Sequence, residues 1–518
     1  MKLPKFKNEP YTDWSKPANR KLQEQALAKL EKQFGKEYPN IIGGERVGSG
    51  EQFKSLNPSN PQQVVGVFQK GNANDALKAL NVAEKKFKEW SVFPAAKRAN
   101  YLFKGAAIMR KRRFELNATM IFEVGKSWME ADADTAEAID FLEFYGREML
   151  RYADQEPAVQ LPGEKDEIQY IPLGVGVVIP PWNFPLAILA GMTVASVVAG
   201  NTVILKPSSD SPLIGYKFME VMEQAGLPDG VINFVAGPGG AVGDTLVTHP
   251  KTRFIAFTGS KEVGIHINVE AAKVQPGQIW IKRVIAEMGG KDSIVVDSEA
   301  NVEEAVAGVT VSAFGFQGQK CSACSRAIVD AKIYDQFVAA LKKRVESITI
   351  GHPKDLSNYM GPVVNKNAME TILRYVQTGQ KEGGKLLTGG ERAPGDGYFI
   401  KPTVIIDVAP NATISQQEIF GPVLAVIKAK NFDNALEIAN NTEYGLTGAV
   451  YSKNKKKIEQ ARTEFHVGNL YLNRKCTGAM VGAHPFGGFN MSGTDSKAGG
   501  KDYLLLFTQA KSIATKVK

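Results

Sequence analysis

The chain has 518 residues, of which 43% are hydrophobic and 23% are charged, a composition typical of soluble globular proteins. Its length suggests about three domains and a core that needs neither disulfides nor a structural metal. Three cysteines exclude a disulfide framework and favour a reducing compartment. Because the amino terminus also lacks an apolar signal segment, we expect a cytoplasmic protein.

Neither a metal, a nucleic acid nor a membrane is expected as a partner. The five histidines are scattered and the chain has a lone C-x-x-C, formed by Cys321 and Cys324. The net charge is +9, but the densest basic run, at 453–457, has no interleaved aromatic residues, which is typical of an exposed helix start. Residues 168–205 carry no charge, yet prolines interrupt them, and we interpret their last part, 185–205, as a buried helix followed by a buried strand.

The first third of the chain has mainly helical periodicity. A charged helix is predicted over 19–35, strands around Ile41 and Val64, and helices from 76 to about 153. Two strand-like runs follow, at 158–161 and 168–171. Since Pro162-Gly163-Glu164-Lys165 lies between them, they predict a hairpin.

From Gly174 onward, short apolar strands alternate with helices. The first series predicts strands at 175–179, 202–205, 231–235 and 253–257, with helices at 211–225 and 261–272. The second predicts strands at 293–296, 327–329 and 423–427, with a helix at 334–345. The fold class is therefore α/β, with two open parallel-sheet domains and a β extension.

Glycine-rich segments give only weak nucleotide signals by themselves. The run from Gly237 to Gly243 misses the G-x-G-x-x-G spacing, and Gly259 to Gly264 lacks the Lys-Ser of a P-loop, so ATP hydrolysis is not supported. Phe257-Thr258-Gly259-Ser260 ends a strand and opens a helix, whose free N–H groups could receive a pyrophosphate. Considered alone, it is equally a plain helix cap.

Cys321 and Glu287 are the candidates for chemistry. Glycines surround Cys321, and the nearby cations Lys320 and Arg326 would favour its thiolate. The alternative is a buried cysteine that packs as a small hydrophobe. Glu287 follows a strand-like run and could activate water, although a single glutamate is more often a solvated surface residue.

Six motifs, taken in order, resemble those of the aldehyde dehydrogenase superfamily over most of the chain. They are Pro181-Trp182-Asn183-Phe184-Pro185, Leu205-Lys206-Pro207-Ser208, Phe257-Thr258-Gly259-Ser260, Glu287-Met288-Gly289-Gly290-Lys291, Gly318-Gln319-Lys320-Cys321 and Glu418-Ile419-Phe420-Gly421-Pro422. The resemblance implies that Cys321 attacks an aldehyde to give a thiohemiacetal and then a thioester. It implies further that Asn183 and the Cys321 N–H form an oxyanion hole, and that Glu287 activates the hydrolytic water.

The resemblance also implies a nicotinamide coenzyme. NAD is expected and NADP stays open, because Ser209 stands where NAD-selective relatives often carry a glutamate that repels a 2′-phosphate. The implied coenzyme contacts are Ile179, Pro180, Trp182, Lys206, Ser208, Ser209, Gly239, Gly243, Phe257, Gly259, Ser260, Val263, Glu418 and Phe420.

Residues 473–494 resemble the Δ1-pyrroline-5-carboxylate dehydrogenases within this superfamily. The resemblance implies oxidation of L-glutamate γ-semialdehyde to L-glutamate in proline catabolism. Ser322 and the backbone of Gly478 and Ala479 would hold the α-carboxylate, with Glu137, Phe184 and Phe486 as further substrate contacts. Cys324 and Cys476 are interpreted as structural. The alternatives are another small aldehyde, such as succinate semialdehyde, and a thiol hydrolase.

The resemblance finally divides the chain into regions. A nucleotide-binding domain is expected from 1–155 and 175–286, a catalytic domain from 287–472 and a substrate-anchor loop from 473–494. Residues 156–174 and 495–518 would form an oligomerisation hairpin and tail, with 503–508 as a strand. A homodimer or an assembly of dimers is therefore expected.

Overall fold

A computed structural model describes residues 3–48, 50–153 and 159–517. The α-helices in these ranges are α1 Pro17–Glu31, α2 Ala73–Trp90, α3 Ala95–Lys111, α4 Arg113–Val124, α5 Trp128–Ala153, α6 Ala187–Val198, α7 Pro212–Gln224, α8 Asp244–Thr248, α9 Lys261–Ala272, α10 Val302–Phe314, α11 Tyr334–Glu346, α12 Lys366–Lys381, α13 Thr413–Gln416, α14 Phe432–Asn440 and α15 Lys455–Glu464.

The strands belong to two large sheets and three small ones. They are β1 Glu37–Tyr38, β2 Asn40–Ile42, β3 Glu45–Val47, β4 Gln52–Asn57, β5 Asn60–Gln69, β6 Glu164–Pro172, β7 Val175–Ile179, β8 Thr202–Leu205, β9 Ile232–Phe234, β10 Thr252–Thr258, β11 Arg283–Glu287, β12 Ser293–Val296, β13 Arg326–Asp330, β14 Lys385–Thr388, β15 Thr403–Ile406, β16 Val423–Ala429, β17 Tyr444–Gly445, β18 Thr447–Tyr451, β19 Asn469–Leu472, β20 Phe489–Asn490 and β21 Thr508–Lys516.

The first large sheet has the order β11-β10-β7-β8-β9-β2-β3, and β7 to β11 pair in parallel. Successive residues of β8 face opposite sides: Val203 and Leu205 join the core around α3 to α6, whereas Ile204 packs with α2, α8 and α9. Strands covered on both faces are apolar throughout, which is why the sequence predicted them well. From β7 the chain continues to β8 and β9 on one side and then returns to β10 and β11 on the other side. A crevice therefore opens at the carboxyl ends of β7 and β10, where the strand order changes direction.

The second large sheet has the order β14-β15-β16-β13-β12-β18-β19, in which β14 alone is antiparallel. It is also covered on both faces, since Val295 of β12 joins one apolar cluster while Ile294 and Val296 join another. The predicted class of two open, mostly parallel sheets is therefore confirmed.

The last part of the uncharged stretch, 185–205, is a buried helix followed by a buried strand, as predicted. Helix α6 is buried around almost its entire circumference, and β8, which follows it, is fully buried. Among the described residues, no helix is long and apolar enough to cross a membrane. The basic run at 453–457 begins α15, where the Asn454 side chain accepts hydrogen bonds from the N–H groups of Lys456 and Lys457.

The predicted hairpin at 158–161 and 168–171 is wrong. Ala158 lies outside the described residues and 159–161 are not a strand. The Gln160 side chain bonds both backbone groups of Asp166, at 2.7 and 2.9 Å, so a side-chain amide replaces the expected partner strand. Instead, β6 pairs along its whole length with β21, more than 300 residues away, in an antiparallel ribbon.

The expected strand at 503–508 is also wrong, because Tyr503–Phe507 forms a 3₁₀ turn and the strand begins at Thr508. The turn brings Tyr503 and Phe507 onto the helical layer and the first sheet. The ring of Tyr503 stacks on Tyr145 at 5.4 Å, and that of Phe507 meets Phe254 edge-on at 5.5 Å. A strand would place only alternate residues of this apolar run against the core.

Candidate active site

A tightly held loop presents Cys321. It follows α10 through a turn at Gly315–Gly318, in which Gln317 has a left-handed φ of 57° and donates hydrogen bonds to the carbonyls of Gly125 and Pro362 at 3.1 and 2.7 Å. A Cβ on Gly318 would lie only 2.3 Å from the Gly421 carbonyl oxygen. The glycine therefore lets the cysteine loop approach the 418–422 segment closely.

Cys321 lies in a cavity of about 820 Å³ that is open to solvent. The predicted catalytic and substrate residues that line this cavity are Cys321, Glu287, Glu137, Phe184, Ser322, Gly478, Ala479 and Phe486. The apolar wall also includes Phe141, Tyr145, Ile188 and Tyr503, which the sequence did not single out. The tertiary structure thus brings residues from five separate segments to one thiol.

The expectation that nearby cations favour the Cys321 thiolate is wrong. Burial raises the pKa of the thiol well above its usual value, and Asp292, Glu418 and Glu287 raise it further. Lys320 instead pairs with Glu130 at 2.7 Å, and the Arg326 guanidinium donates to three backbone carbonyls. The thiol therefore needs a nearby proton acceptor.

Asn183 is buried against the same loop. Its side-chain nitrogen donates to the Gln319 carbonyl at 3.1 Å, which fixes the amide two residues before Cys321. The second N–H of this amide makes no hydrogen bond within the described residues. It is therefore a donor that a substrate oxygen could use.

Glu287 ends β11 and is held from several sides. Its carbonyl accepts from Gly259 N–H at 3.1 Å, and its side-chain Oε1 accepts a hydrogen bond from the Ser496 hydroxyl. Burial raises the pKa of Glu287 to about 8, an effect that Ser496 and Lys497 oppose and Asp495 reinforces. A carboxyl with such a pKa can accept a proton and release it again near neutral pH.

Ser496 is a functional partner that sequence reasoning missed. A Cβ on Gly487 would lie 2.9 Å from Glu287 Oε1 and would collide with the Ser496 carbonyl. The glycine therefore lets the 485–498 segment fold against the glutamate. The glycine run around 487 was the one local signal, and it did not identify which hydroxyl would reach Glu287.

The predicted coenzyme residues gather at the carboxyl ends of the first sheet. Ile179 ends β7, and Pro180 and Trp182 follow it; Lys206, Ser208 and Ser209 follow β8; Phe257, Gly259 and Ser260 end β10 and open α9. The Ser260 hydroxyl caps α9 by accepting from Val263 N–H at 3.3 Å. Phe257 is buried beneath Gly259, so its side chain supports this turn.

Lys206 has an unmet requirement for an acceptor. Its side chain is buried, and within the described residues its ammonium contacts a single acceptor, the Pro207 carbonyl, at 3.4 Å. Burial lowers the pKa of this lysine to about 8. The turn at Gly239–Gly243 lies nearby, and a Cβ on Gly239 would meet open space. A ligand hydroxyl fits here because it would give the ammonium the acceptor it lacks.

Glu418 and Phe420 lie between this edge and the cysteine. Glu418 Oε1 accepts from Gly290 N–H at 2.9 Å, and burial raises the pKa of the carboxyl to about 7. A Cβ on Gly289 would collide with the same carboxylate, which explains the paired glycines. The Phe420 ring meets Trp182 edge-on at 5.5 Å. The two predicted groups of residues are thus continuous in space.

The model of the aldehyde dehydrogenase family matches residues 46–513. The chain belongs to that family. The resemblance derived from the motifs is therefore confirmed.

Similar proteins place the chain more narrowly within the family. A 1-pyrroline-5-carboxylate dehydrogenase of Geobacillus sp. (strain WCH70) is 59% identical over 509 residues, which is 98% of this chain and 99% of the relative. The solved 1-pyrroline-5-carboxylate dehydrogenase from Thermus with bound NAD matches all of both chains, with 50% identity and a TM-score of 0.98. Proline utilization A from Bdellovibrio bacteriovorus matches with 47% identity and a TM-score of 0.98, over 100% of this chain and 54% of that one.

Proposed function

We propose that this aldehyde dehydrogenase oxidises L-glutamate γ-semialdehyde, the open form of Δ1-pyrroline-5-carboxylate, to L-glutamate with NAD. The observation that carries the proposal is one cavity lined by Cys321, Glu287, Ser322 and the Gly478–Ala479 backbone. A thiol and a carboxyl suit acyl transfer to water, and a hydroxyl beside backbone N–H groups suits a carboxylate. The names of the similar proteins support the same substrate.

In the proposed reaction, Cys321 loses its proton to Glu287, the carboxylate in the same cavity, and the thiolate attacks the aldehyde carbon. The oxygen becomes an alkoxide, which the Asn183 amide and the Cys321 N–H stabilise; such a donor contributes roughly 3–4 kcal/mol. Bound NAD supplies the acceptor for the hydride that leaves this carbon. Cys321 then carries a thioester.

Glu287 releases the thiol proton to solvent and then acts again when the thioester is hydrolysed. Its carboxylate takes a proton from water, and the resulting hydroxide attacks the acyl carbon. Collapse of the tetrahedral adduct releases the acid and regenerates the Cys321 thiolate. The proton on Glu287 returns to this thiolate, so that both groups regain their starting states. One aldehyde and one water thus give one carboxylic acid, with two electrons and one proton transferred as hydride.

The coenzyme residues fit NAD. Lys206 lacks an acceptor that a ribose hydroxyl would supply, Ser260 begins a helix whose N–H groups suit a pyrophosphate, and Glu418 can accept from a second ribose. Ser209 is exposed and neutral and would not repel a 2′-phosphate, so NADP stays the alternative.

The test measures reduced-nicotinamide formation with Δ1-pyrroline-5-carboxylate, succinate semialdehyde and propanal, each with NAD and NADP. We expect kcat/KM to be highest for pyrroline-5-carboxylate with NAD. A higher value for another aldehyde would reject the substrate and keep the chemistry of Cys321. Ester hydrolysis without any reduced coenzyme would favour a thiol hydrolase.

A variant of Ser496 tests the assignment of the base. Ser496→Ala removes a hydrogen bond that stabilises the Glu287 carboxylate, so the pKa of Glu287 rises. Because hydrolysis needs the carboxylate, kcat increases with pH through this pKa. We expect the rise of kcat with pH to move up by roughly one to two pH units, since a hydrogen bond to a charged group is worth about 1.5–3 kcal/mol. Steady-state kcat from pH 6 to 10 measures the shift.

Ser496→Thr is the matched control, because it keeps the hydroxyl and should keep the wild-type profile. The other groups that influence Glu287, namely Lys497, Asp495, Cys321 and Tyr503, stay in place in both variants. Identical profiles for the alanine and threonine variants would mean that Ser496 does not tune the base.

The regional division and the dimer also stay proposals. The β6–β21 ribbon has two strands, which are marginal alone, and Ile279 and Ile281 are 85% and 84% exposed. These features support association of 156–174 and 495–518 with a second copy of the chain. The other proposed regions are a nucleotide-binding domain at 1–155 and 175–286, a catalytic domain at 287–472 and a substrate-anchor loop at 473–494. Three free thiols support a cytoplasmic location. Sedimentation equilibrium tests the dimer, and a monomer mass would reject it.

A further inference from the structure

Lys475 lies at the wall that Gly478 and Ala479 form. The cavity at Cys321 continues into an outer chamber. Gly478 and Ala479 line this chamber together with Lys475, Ser322 and Glu137. If Gly478 carried a Cβ, that atom would lie 3.3 Å from Lys475 Cε and 3.4 Å from its Nζ. The Lys475 ammonium is therefore directly beside the Gly478 backbone, within the entrance to Cys321.

Lys320, which also lines the chamber, and Arg474, the neighbour of Lys475 in sequence, already have partners. Lys320 pairs with Glu130 at 2.7 Å. Arg474 donates to the carbonyls of Thr477 and Gly478 at 3.0 and 3.1 Å. Within ranges 3–48, 50–153 and 159–517, Lys475 Nζ makes neither a hydrogen bond nor an ion pair. It therefore has no direct ion-pair partner, and the carboxylate that acts on it electrostatically, Glu130, is already paired with Lys320.

The surroundings of Lys475 favour an anion. Partial burial lowers the pKa of its ammonium, and the neighbouring charges of Lys320 and Arg474 lower it further, whereas Glu130 opposes the shift. A carboxylate placed between the ammonium and the adjacent Gly478–Ala479 backbone would offset both the desolvation of the ammonium and the repulsion by the neighbouring cations. It would accept a charge-assisted hydrogen bond from Lys475 and supply the opposite charge. Gly478 has a left-handed φ of 77°, and this turn keeps Lys475 folded back over it.

We propose that Lys475 binds the α-carboxylate of the substrate and so sets the preference of this enzyme for carboxylate-bearing aldehydes over neutral ones. The proposal rests on the proposed function and adds a specificity-determining residue to it. Ser322 and the Gly478–Ala479 backbone orient the carboxylate, whereas Lys475 supplies its counter-charge. Glu137, on another wall of the chamber, is left for the α-ammonium group.

The test compares aldehydes of one chain length. L-Glutamate γ-semialdehyde carries both the carboxylate and the ammonium group, 5-oxopentanoate carries the carboxylate alone, and pentanal carries neither. For Lys475→Met we expect kcat/KM to fall about 10- to 100-fold with both carboxylate substrates, mainly through KM. With pentanal it should stay within about twofold. Lys475→Arg keeps the charge and should restore most of the loss.

Lys453→Met is the matched control, because it removes one exposed lysine charge outside the chamber and should leave every substrate unchanged. An equal loss with pentanal and 5-oxopentanoate would overturn the proposal, since it would indicate a structural defect. Unchanged KM values in Lys475→Met would overturn it as well.

Binding separates this proposal from the proposed function. Calorimetry with glutarate, a dianion without an aldehyde, measures the site independently of turnover. We expect the Kd for glutarate to rise at least about tenfold in Lys475→Met and to stay unchanged in Lys453→Met. If the wild type binds glutarate through Lys475 yet prefers another carboxylate aldehyde, the proposed substrate fails and the role of Lys475 stands. Equal binding to both variants overturns the role.

Discussion

Cys321→Ala should abolish aldehyde oxidation, with kcat/KM reduced by at least about 10⁴-fold. Cys321 lines the cavity and is the proposed nucleophile, so removing its thiol leaves no group to form the thiohemiacetal. Coenzyme binding should survive, because the substitution leaves the proposed coenzyme residues Lys206, Ser260 and Glu418 unchanged. Reduced-nicotinamide absorbance measures the first effect and calorimetric titration with NAD the second.

A second cysteine, Cys324, allows a control in which the same thiol group is removed at another position. Cys324 is buried, and its Sγ contacts the Arg326 carbonyl at 3.4 Å, away from the cavity. Cys324→Ala should therefore retain oxidation, at some cost in stability from the lost packing. Residual oxidation by Cys321→Ala within tenfold of the wild type would remove Cys321 from its role.

Glu287→Gln should convert steady turnover into a single turnover. Glutamine cannot take the proton of water, so the thioester persists and kcat falls by about 10²- to 10⁴-fold. Because Glu287 also receives the thiol proton, the first turnover slows too, and its amplitude is the decisive quantity. We expect about one reduced coenzyme per site, together with an acyl adduct on Cys321 in the intact-protein mass spectrum.

Glu418→Gln is the control that distinguishes the role of Glu287 from that of the other buried carboxyl, Glu418. Glu418 touches Gly290 rather than the cavity wall, and we expect its variant to raise KM for NAD without trapping an acyl adduct. If Glu287→Gln keeps a wild-type kcat, or if its spectrum lacks the adduct, another group activates the water.

Local sequence determined the central strands of both sheets and the order of the motifs. Val175–Ile179, Thr202–Leu205 and Ser293–Val296 have the predicted bounds, because strands covered on both faces are short apolar runs between turns. Helix α9 likewise begins where Ser260 supplies a cap. The motifs around Cys321, Glu287 and Asn183 were sufficient to identify the family, since their residue types follow from the chemistry they perform.

Contacts between distant segments decided the rest. The turn signal at 162–165 indicated a hairpin, but the nine residues of β21 offered β6 a longer partner than 158–161 could. The charge of Lys320 was visible in the sequence, whereas its ion pair with Glu130 and the burial of Cys321 were not. A pKa depends on every group packed around a side chain, and Ser496 reaches Glu287 across 209 positions. Sequence thus specified the reacting groups, and only the tertiary structure set their protonation and their partners.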